Sequence, residues 1–214
     1  MNSRIALFFV LLALQGCAAN APALLKEIPS STGQAIIVHP INQGSHQAVL
    51  SGWQKEKGDW HCLFVYSAVI GRHGLAAEGQ KKEGDGKTPF GAYALGPAFG
   101  YASTIDTGLV YRQATDHDFW VDDVQSMQYN QWVSGQPAAR SFERMKRSDN
   151  LYQYGVVINY NTAPIVPGAG SAIFMHVWRR YDSPTAGCVA LNQRNLRRIL
   201  RWLSQTQHPL IILE

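Results

Sequence analysis

The most informative stretch of the chain is Ser171-Ala-Ile-Phe-Met-His176-Val-Trp-Arg-Arg-Tyr-Asp-Ser-Pro-Thr185-Ala-Gly187-Cys188-Val-Ala-Leu191. It predicts a short apolar strand that ends in His176, a polar loop, and a second apolar step that begins with Cys188. Nucleophilic cysteine catalysis requires a thiol and an imidazole at one place, and two neighbouring elements would supply them here. From the residues alone, a structural histidine at a strand end remains an equal alternative.

The chemistry of this pair depends on the charge state of the thiol. A free thiol is mostly protonated near neutral pH, so a catalytic cysteine needs a partner that stabilises the thiolate. We expect His176 to do this as an imidazolium and then to return a proton to a leaving amine. Backbone amides near Cys188 are candidates for an oxyanion hole, because Gly187 lets the backbone approach a ligand closely. Zinc is set aside because no third and fourth ligand stand at metal-site spacing.

Composition limits the class of protein. The chain has 214 residues, of which 46% are hydrophobic, which is enough for one buried core and too little for two comfortable domains. Its 19 glycines and its aromatic content of 11% favour strands with many tight turns. The net charge of +4 comes without the basic runs that nucleic-acid binding usually requires, so we expect no nucleic-acid partner.

The N-terminus is typical of an exported protein. Residues 1–4 carry a positive charge, and the apolar run over 5–14 suits a signal peptide but is too short to span a bilayer. Leu14-Gln15-Gly16-Cys17 resembles a bacterial lipobox, which predicts lipidation at Cys17 and a membrane anchor. Because Ala18 and not aspartate follows, the resemblance favours the outer membrane, facing the periplasm. The alternative is ordinary cleavage after Ala19-Asn20-Ala21, which would remove Cys17.

The remaining chain predicts a tether over 18–33 and one β-rich α+β domain over 34–214, after a signal peptide over 1–17. Strands are predicted at 34–39, 47–53, 60–70, 91–95, 155–160, 172–176 and 209–213, with a hairpin turn over 55–59.

Two short helices are expected beside these strands. One is the helix-favouring segment 137–147, and the other begins after Asn192, a good N-cap residue. The second helix has an apolar stripe of Leu196, Ile199, Leu200 and Leu203. Its arginines, at 194, 197, 198 and 201, point elsewhere and are expected to form a solvated face.

Three further residues invite chemical interpretations. Cys62 lies in an apolar run and is expected to be a core residue, although a Cys62–Cys188 disulfide is the alternative in an oxidising compartment. Asp122 and Asp123 are adjacent carboxylates, which more often form turns than bind metal. We therefore predict no metal site.

Three segments together resemble one family. Ile173-Phe-Met-His176, Thr185-Ala-Gly187-Cys188-Val189 and Gly84-Asp-Gly-Lys-Thr88-Pro-Phe-Gly91 are similar to the signature of the L,D-transpeptidase (YkuD-type) catalytic domain. The resemblance covers residues 34 to 214. It implies a mixed β-sheet or sandwich with the cysteine and the histidine facing a cleft, activity on peptidoglycan stem peptides, and no cofactor.

The resemblance also implies a mechanism and roles for individual residues. Cys188 would attack the carbonyl of the third residue of a tetrapeptide stem and expel the terminal D-alanine, with His176 as base and acid. The carbonyl of Val177 would orient the imidazole, and the amides of Gly187 and Cys188 would form the oxyanion hole. Thr185, Arg179 and Arg180 are the expected substrate-binding residues.

Two departures from the family pattern leave the second half of the reaction open. Many members have histidine where Ala186 stands and arginine where Ala190 stands, and both changes remove positive charge. Arg179 or Arg180 is a candidate to compensate. Transpeptidase, carboxypeptidase and cross-link endopeptidase activities therefore remain open, and so does an inactive lipoprotein that only binds the cell wall.

Overall fold

Strands dominate the part of the chain that the computed structural model describes, residues 21–214. They are β1 (Gln34–Pro40), β2 (Gln47–Glu56), β3 (Asp59–Val69), β4 (Gly91–Gly100), β5 (Tyr111–Gln113), β6 (Asp118–Val121), β7 (Trp132–Ser134), β8 (Phe142–Arg144), β9 (Tyr154–Ile158), β10 (Phe174–Val177), β11 (Val189–Leu191) and β12 (Leu210–Leu213). The described residues also include the helix α1 (Gln193–Trp202) and two 3-10 turns, Ala23–Lys26 and Gln205–Gln207. The predicted β-rich α+β class is confirmed. The predicted signal peptide and Cys17 lie outside the described residues.

The predicted hairpin forms between β2 and β3. Glu56 pairs with Asp59, which leaves Lys57 and Gly58 as a two-residue loop. Both loop residues have positive φ, 52° and 98°, as in the type I′ turn, whose twist matches that of the flanking strands.

Nine of the strands form one mixed sheet in the order β12-β1-β2-β3-β11-β10-β9-β4-β5. Because β12 also pairs with β4, eight of these strands close on themselves, and β5 lies outside the closed ring. Closure gives hydrogen-bond partners to strand edges that would otherwise be exposed. The largest side chains of the main core include those of Ile36, Leu50, Ile70, Ile158, Met175 and Leu191.

Helix α1 follows β11 directly and packs against β9 and β10. Asn192 caps it as predicted, since its side chain accepts a hydrogen bond from the amide of Arg194 at 2.9 Å. The predicted apolar stripe is buried in the main core (Leu196, Ile199, Leu200 and Leu203). Complete burial of each such side chain stabilises the fold by about 1.5–3 kcal/mol.

A second sheet, with the order β7-β6-β8, occupies the segment between β5 and β9. The helix predicted over 137–147 is wrong, because Phe142 to Arg144 pair with Val121 to Phe119 as strand β8. Phe142 also packs edge-on against Phe119, with ring centroids 5.0 Å apart. Cross-strand pairing and this aromatic contact outweigh the helix propensity of the segment.

The segment before β1 and Cys62 meet in a smaller apolar cluster. Leu25, in the first 3-10 turn, is buried there beside Ile37 and Trp53. Cys62 is half-buried against the same cluster. The thiol of Cys188 is free, so the alternative of a Cys62–Cys188 disulfide is wrong.

Candidate active site

The candidate catalytic pair lies on two neighbouring parallel strands. His176 is in β10 and pairs with Ala190 in β11, while Cys188 directly precedes β11. Both side chains are almost buried, with exposed fractions of 6% for His176 and 7% for Cys188, and both line one cleft of about 550 Å³. The strand pairing therefore brings together two residues that the sequence separates by a polar loop.

The imidazole of His176 is held in one tautomer. Its Nδ1 lies 2.8 Å from the carbonyl oxygen of Val177. A carbonyl can only accept a hydrogen bond, so Nδ1 carries the proton and Nε2 keeps its lone pair. This is the contact that the family resemblance implies for Val177. Tyr152 packs edge-on against the ring, with centroids 5.1 Å apart, and restricts its rotation.

The thiol of Cys188 is positioned by the segment that leads into β10. Its Sγ donates to the carbonyl of Ala172 at 3.2 Å and accepts from the amide of Phe174 at 3.4 Å. Ala172 has a φ of 53°, a strained conformation for a residue other than glycine. The buried side chain of Asn130 holds it there by accepting from its amide at 3.1 Å.

Burial favours the neutral form of both candidate groups at rest. Desolvation raises the pKa of the Cys188 thiol to about 12, and the carboxylate of Glu143 adds to the increase. Desolvation lowers the pKa of His176 to about 4, although its hydrogen bond to Val177 opposes this. The expectation of a resting thiolate beside an imidazolium is therefore wrong, because the low-dielectric site disfavours both charges. His176 can act as a base, since its Nε2 is unprotonated.

The loop before Cys188 is fixed by two threonine hydroxyls. Thr88 Oγ1 donates to the carbonyl of Gly187 at 2.7 Å and accepts from the amide of Gly71 at 2.9 Å. Thr185 Oγ1 donates to the carbonyl of Cys188 at 2.6 Å and accepts from the amide of Gly187 at 3.1 Å. Thr88, in the Thr-Pro-x-Gly motif Thr88-Pro-Phe-Gly91, thus helps to hold the loop that precedes Cys188.

These contacts change the interpretation of two predicted site residues. The amide of Gly187 is occupied by Thr185, so it is not free to join an oxyanion hole in this conformation. A Cβ at Gly187 would lie 2.9 Å from the carbonyl oxygen of Lys87. Close packing of the backbone therefore favours glycine at this position. The hydroxyl of Thr185 is likewise engaged within the loop, although the residue lines the cleft.

The predicted compensating arginines have different positions. Arg179 lines the cleft and reaches the carboxylate of Asp149 at 3.4 Å. Arg180 pairs with Asp182 at 2.9 Å and is not among the residues that line the cleft. Ala186 and Ala190 line it as well, so the two family departures do lie at the site.

Arg147 is a cleft cation that the sequence did not indicate. Its guanidinium makes two hydrogen bonds to Asp149, at 2.9 and 2.7 Å, and lies 5.0 Å from the ring centre of Tyr152. Its positive charge lowers the pKa values of both Cys188 and His176, although burial has the larger effect on each. No motif includes Arg147, and the composition of segment 137–147 predicts a helix. The sequence therefore does not indicate that Arg147 lies in the cleft.

The cleft carries charges of both signs. Its cations are Arg72, Lys81, Arg147 and Arg179, and its carboxylates are Glu83, Asp122 and Glu143. Glu83 accepts hydrogen bonds from the hydroxyls of Tyr129 and Ser171, and Glu143 accepts from the hydroxyl of Tyr152. Burial raises the pKa of Glu143, and Tyr152 opposes this by donating to it.

The adjacent carboxylates Asp122 and Asp123 have separate roles. Asp122 lines the cleft, while Asp123 accepts from the amides of Gln125 and Arg140 and so shapes a turn. Within residues 21–214, no group of three or more histidine, cysteine, aspartate or glutamate side chains is placed to hold a metal ion. The same residues contain no helix that is long and apolar enough to cross a membrane.

Comparison with known proteins gives a family. Residues 33–212 match the model of the L,D-transpeptidase catalytic domain, YkuD. Among solved structures, the chain is similar to Bd1075 of Bdellovibrio bacteriovorus, with 15% identity and a TM-score of 0.47. The similarity covers 86% of this chain and 48% of that one, so this chain spans about half the length of the solved structure. No curated protein matches the chain.

Proposed function

The chain belongs to the L,D-transpeptidase (YkuD) family, and we propose that it is a cysteine acyltransferase acting on peptidoglycan stem peptides. One observation carries the proposal. The unprotonated Nε2 of His176 and the free thiol of Cys188 line the same cleft, and Val177 sets the tautomer that makes His176 a base.

The first half of the proposed reaction forms a thioester. The Cys188 thiol turns away from the carbonyl of Ala172, and Nε2 of His176 takes its proton as Sγ attacks the carbonyl of the third stem residue. The amide of Cys188 is the proposed donor to the oxyanion, because that of Gly187 is occupied. The imidazolium then gives its proton to the nitrogen of the terminal D-alanine as the carbon–nitrogen bond breaks.

The second half releases the acyl group. An amine of a neighbouring stem, or water, attacks the thioester, His176 takes up the proton, and the Cys188 thiolate leaves and is reprotonated. Because both groups are neutral at rest, charge separation accompanies attack and does not precede it.

The charges of the cleft support a peptide substrate of this kind. A stem peptide carries carboxylates and an amine, and the cleft places cations and carboxylates around the nucleophile. Arg147 and Arg179 supply positive charge to the cleft, which Ala186 and Ala190 cannot supply.

Mass spectrometry of the intact protein tests the proposal. After incubation with a carbapenem or with tetrapeptide muropeptides, we expect a covalent adduct on Cys188, and no adduct in Cys188→Ala. His176→Gln should form the adduct much more slowly. If the wild-type protein forms neither adduct nor product, the chain is not an enzyme of this class and the inactive wall-binding alternative gains support.

Muropeptide profiles then identify the acceptor. An increase in 3-3 cross-links indicates transpeptidation, an increase in tripeptides indicates carboxypeptidation, and a loss of cross-links indicates an endopeptidase.

We also propose that the protein is exported and anchored through Cys17 in the outer membrane, facing the periplasm. The lipobox-like Leu14-Gln15-Gly16-Cys17 supports this. Incorporation of labelled palmitate that is lost in Cys17→Ser would agree with it. Cleavage after Ala21 without palmitate would contradict it.

A further inference from the structure

The arginines of α1 carry a charge equal to the net charge of the whole protein. We call Arg194, Arg197, Arg198 and Arg201 the arginine stripe. The chain has 19 basic and 15 acidic residues, and α1 has these four arginines and no acidic residue. The rest of the chain therefore has 15 of each and is balanced, so this one helix makes the protein basic.

The spacing of the arginine stripe places it on a single face. Residues three, four and seven positions apart lie on the same side of an α-helix, and the buried leucine and isoleucine stripe of α1 lies on the opposite side. The arginine stripe is about 10 Å long from its first to its last Cα atom. Its four side chains are exposed and line a shallow hollow of about 450 Å³ together with Asn192 and Gln193.

Among residues 21–214, only one of the four arginines has a carboxylate partner. Arg201 pairs with Asp106 at 2.5 Å, and Arg197 lies 5.3 Å from the ring centre of Tyr154. Arg194 and Arg198 have no ion pair or ring contact with any residue of 21–214. Like charges four residues apart on a helix repel each other, so their placement costs stability that an anionic ligand would recover.

The arginine stripe lies on the opposite side of the sheet from the catalytic cleft, because the side chains of β10 and β11 that pack in the main core with α1 alternate along each strand with those that line the cleft. Leu191, the last residue of β11, accepts from the amide of the cleft residue Trp178 at 2.9 Å. At the start of α1, Gln193 accepts from the side chain of Gln153 at 3.2 Å, and Gln153 follows the cleft residue Tyr152. These contacts connect the first turn of α1 to neighbours of the cleft residues, while the arginine stripe itself faces away from the cleft.

We propose that the arginine stripe binds carboxylates of peptidoglycan stem peptides other than the one that occupies the cleft. The guanidinium group matches a carboxylate in charge and in its forked hydrogen-bond geometry. The proposal rests on the proposed function for the identity of the polymer. It adds a binding surface, separate from the catalytic residues, that recognises polymeric substrate and is not needed for a single soluble muropeptide.

Co-sedimentation of the full chain with purified sacculi tests this. The test variant is R194Q/R198Q, which removes the two arginines that have neither an ion pair nor a ring contact within residues 21–214. The matched control is K26Q/K57Q, which removes two exposed charges elsewhere. We expect the test variant to bind sacculi about two- to thirtyfold more weakly, as for two exposed ion pairs, and the control to bind like wild type. Wild-type binding should weaken as ionic strength rises, and on sacculi whose carboxylates have been amidated.

Acylation of Cys188 by a soluble muropeptide should be the same in all three proteins. Equal sacculus binding by the test variant and the control, or wild-type binding that survives amidation, would overturn the inference. So would arginine-dependent binding to phosphatidylglycerol vesicles without binding to sacculi, which would assign the stripe to a membrane surface. If Cys188 is never acylated but binding follows the expected pattern, the proposed function fails and the arginine stripe remains a peptidoglycan-binding surface.

Discussion

Replacement of Thr88 by valine would remove one hydroxyl that serves two buried backbone groups. Thr88 is fully buried, and its Oγ1 bonds both to the amide of Gly71 and to the carbonyl of Gly187. Valine keeps the shape of the side chain but leaves both groups without this partner. Each unsatisfied buried group costs about 1–3 kcal/mol, so the free energy of unfolding should fall by about 2–6 kcal/mol.

Denaturant unfolding followed by circular dichroism measures this loss, with Thr88→Ser as the matched control. Serine keeps the hydroxyl and removes only a methyl group, so its cost should be about 1 kcal/mol. Because Gly187 adjoins Cys188, T88V should also slow acylation of Cys188 by a carbapenem, while T88S should not.

Equal stability of T88V and T88S, with equal acylation rates, would refute this reasoning. The Thr-Pro-x-Gly motif would then not act by holding the loop that precedes Cys188.

Three further predictions concern the same site. Gly187→Ala should destabilise the protein by about 1–3 kcal/mol, because the new Cβ would lie 2.9 Å from the carbonyl oxygen of Lys87; thermal unfolding measures this. Alkylation of Cys188 by iodoacetamide should stay slow up to pH 9 and rise towards pH 12, since burial raises the thiol pKa to about 12. Stability should fall by about 3 kcal/mol as pH falls from 6.5 towards 4, the pKa of folded His176, because the unfolded chain takes up that proton first; denaturant unfolding measures this fall.

Each of these has its own control. The control for Gly187→Ala is Ala186→Ser, which changes an exposed neighbour in the same loop and should leave stability almost unchanged. Iodoacetamide should react with the unfolded chain with an ordinary thiol profile, and a folded thiol that titrates near pH 7 would contradict the neutral resting pair. In His176→Gln the decline in stability between pH 6.5 and 4 should become shallower, and an unchanged slope would show that other groups cause it.

The sequence determined those features that depend on neighbours along the chain. Alternating or continuous apolar runs located most of the long strands, and the pattern after Asn192 located α1 with its cap and its buried stripe. The His-to-Cys order and the Thr-Pro-x-Gly segment indicated the family. Short strands such as Tyr111–Gln113 escaped prediction, since three residues carry no periodicity.

Only the tertiary structure decided the electrostatics and the contacts of the site. Phe142–Arg144 is a strand because it pairs with β6, which is distant along the chain. This pairing also positions the segment so that Glu143 and Arg147 line the cleft. The parallel pairing of β10 with β11 places His176 and Cys188 in one cleft, and burial favours the neutral form of both. A charge state depends on solvent exclusion by residues far apart in the chain, so the sequence predicted the identity of the pair but not its protonation.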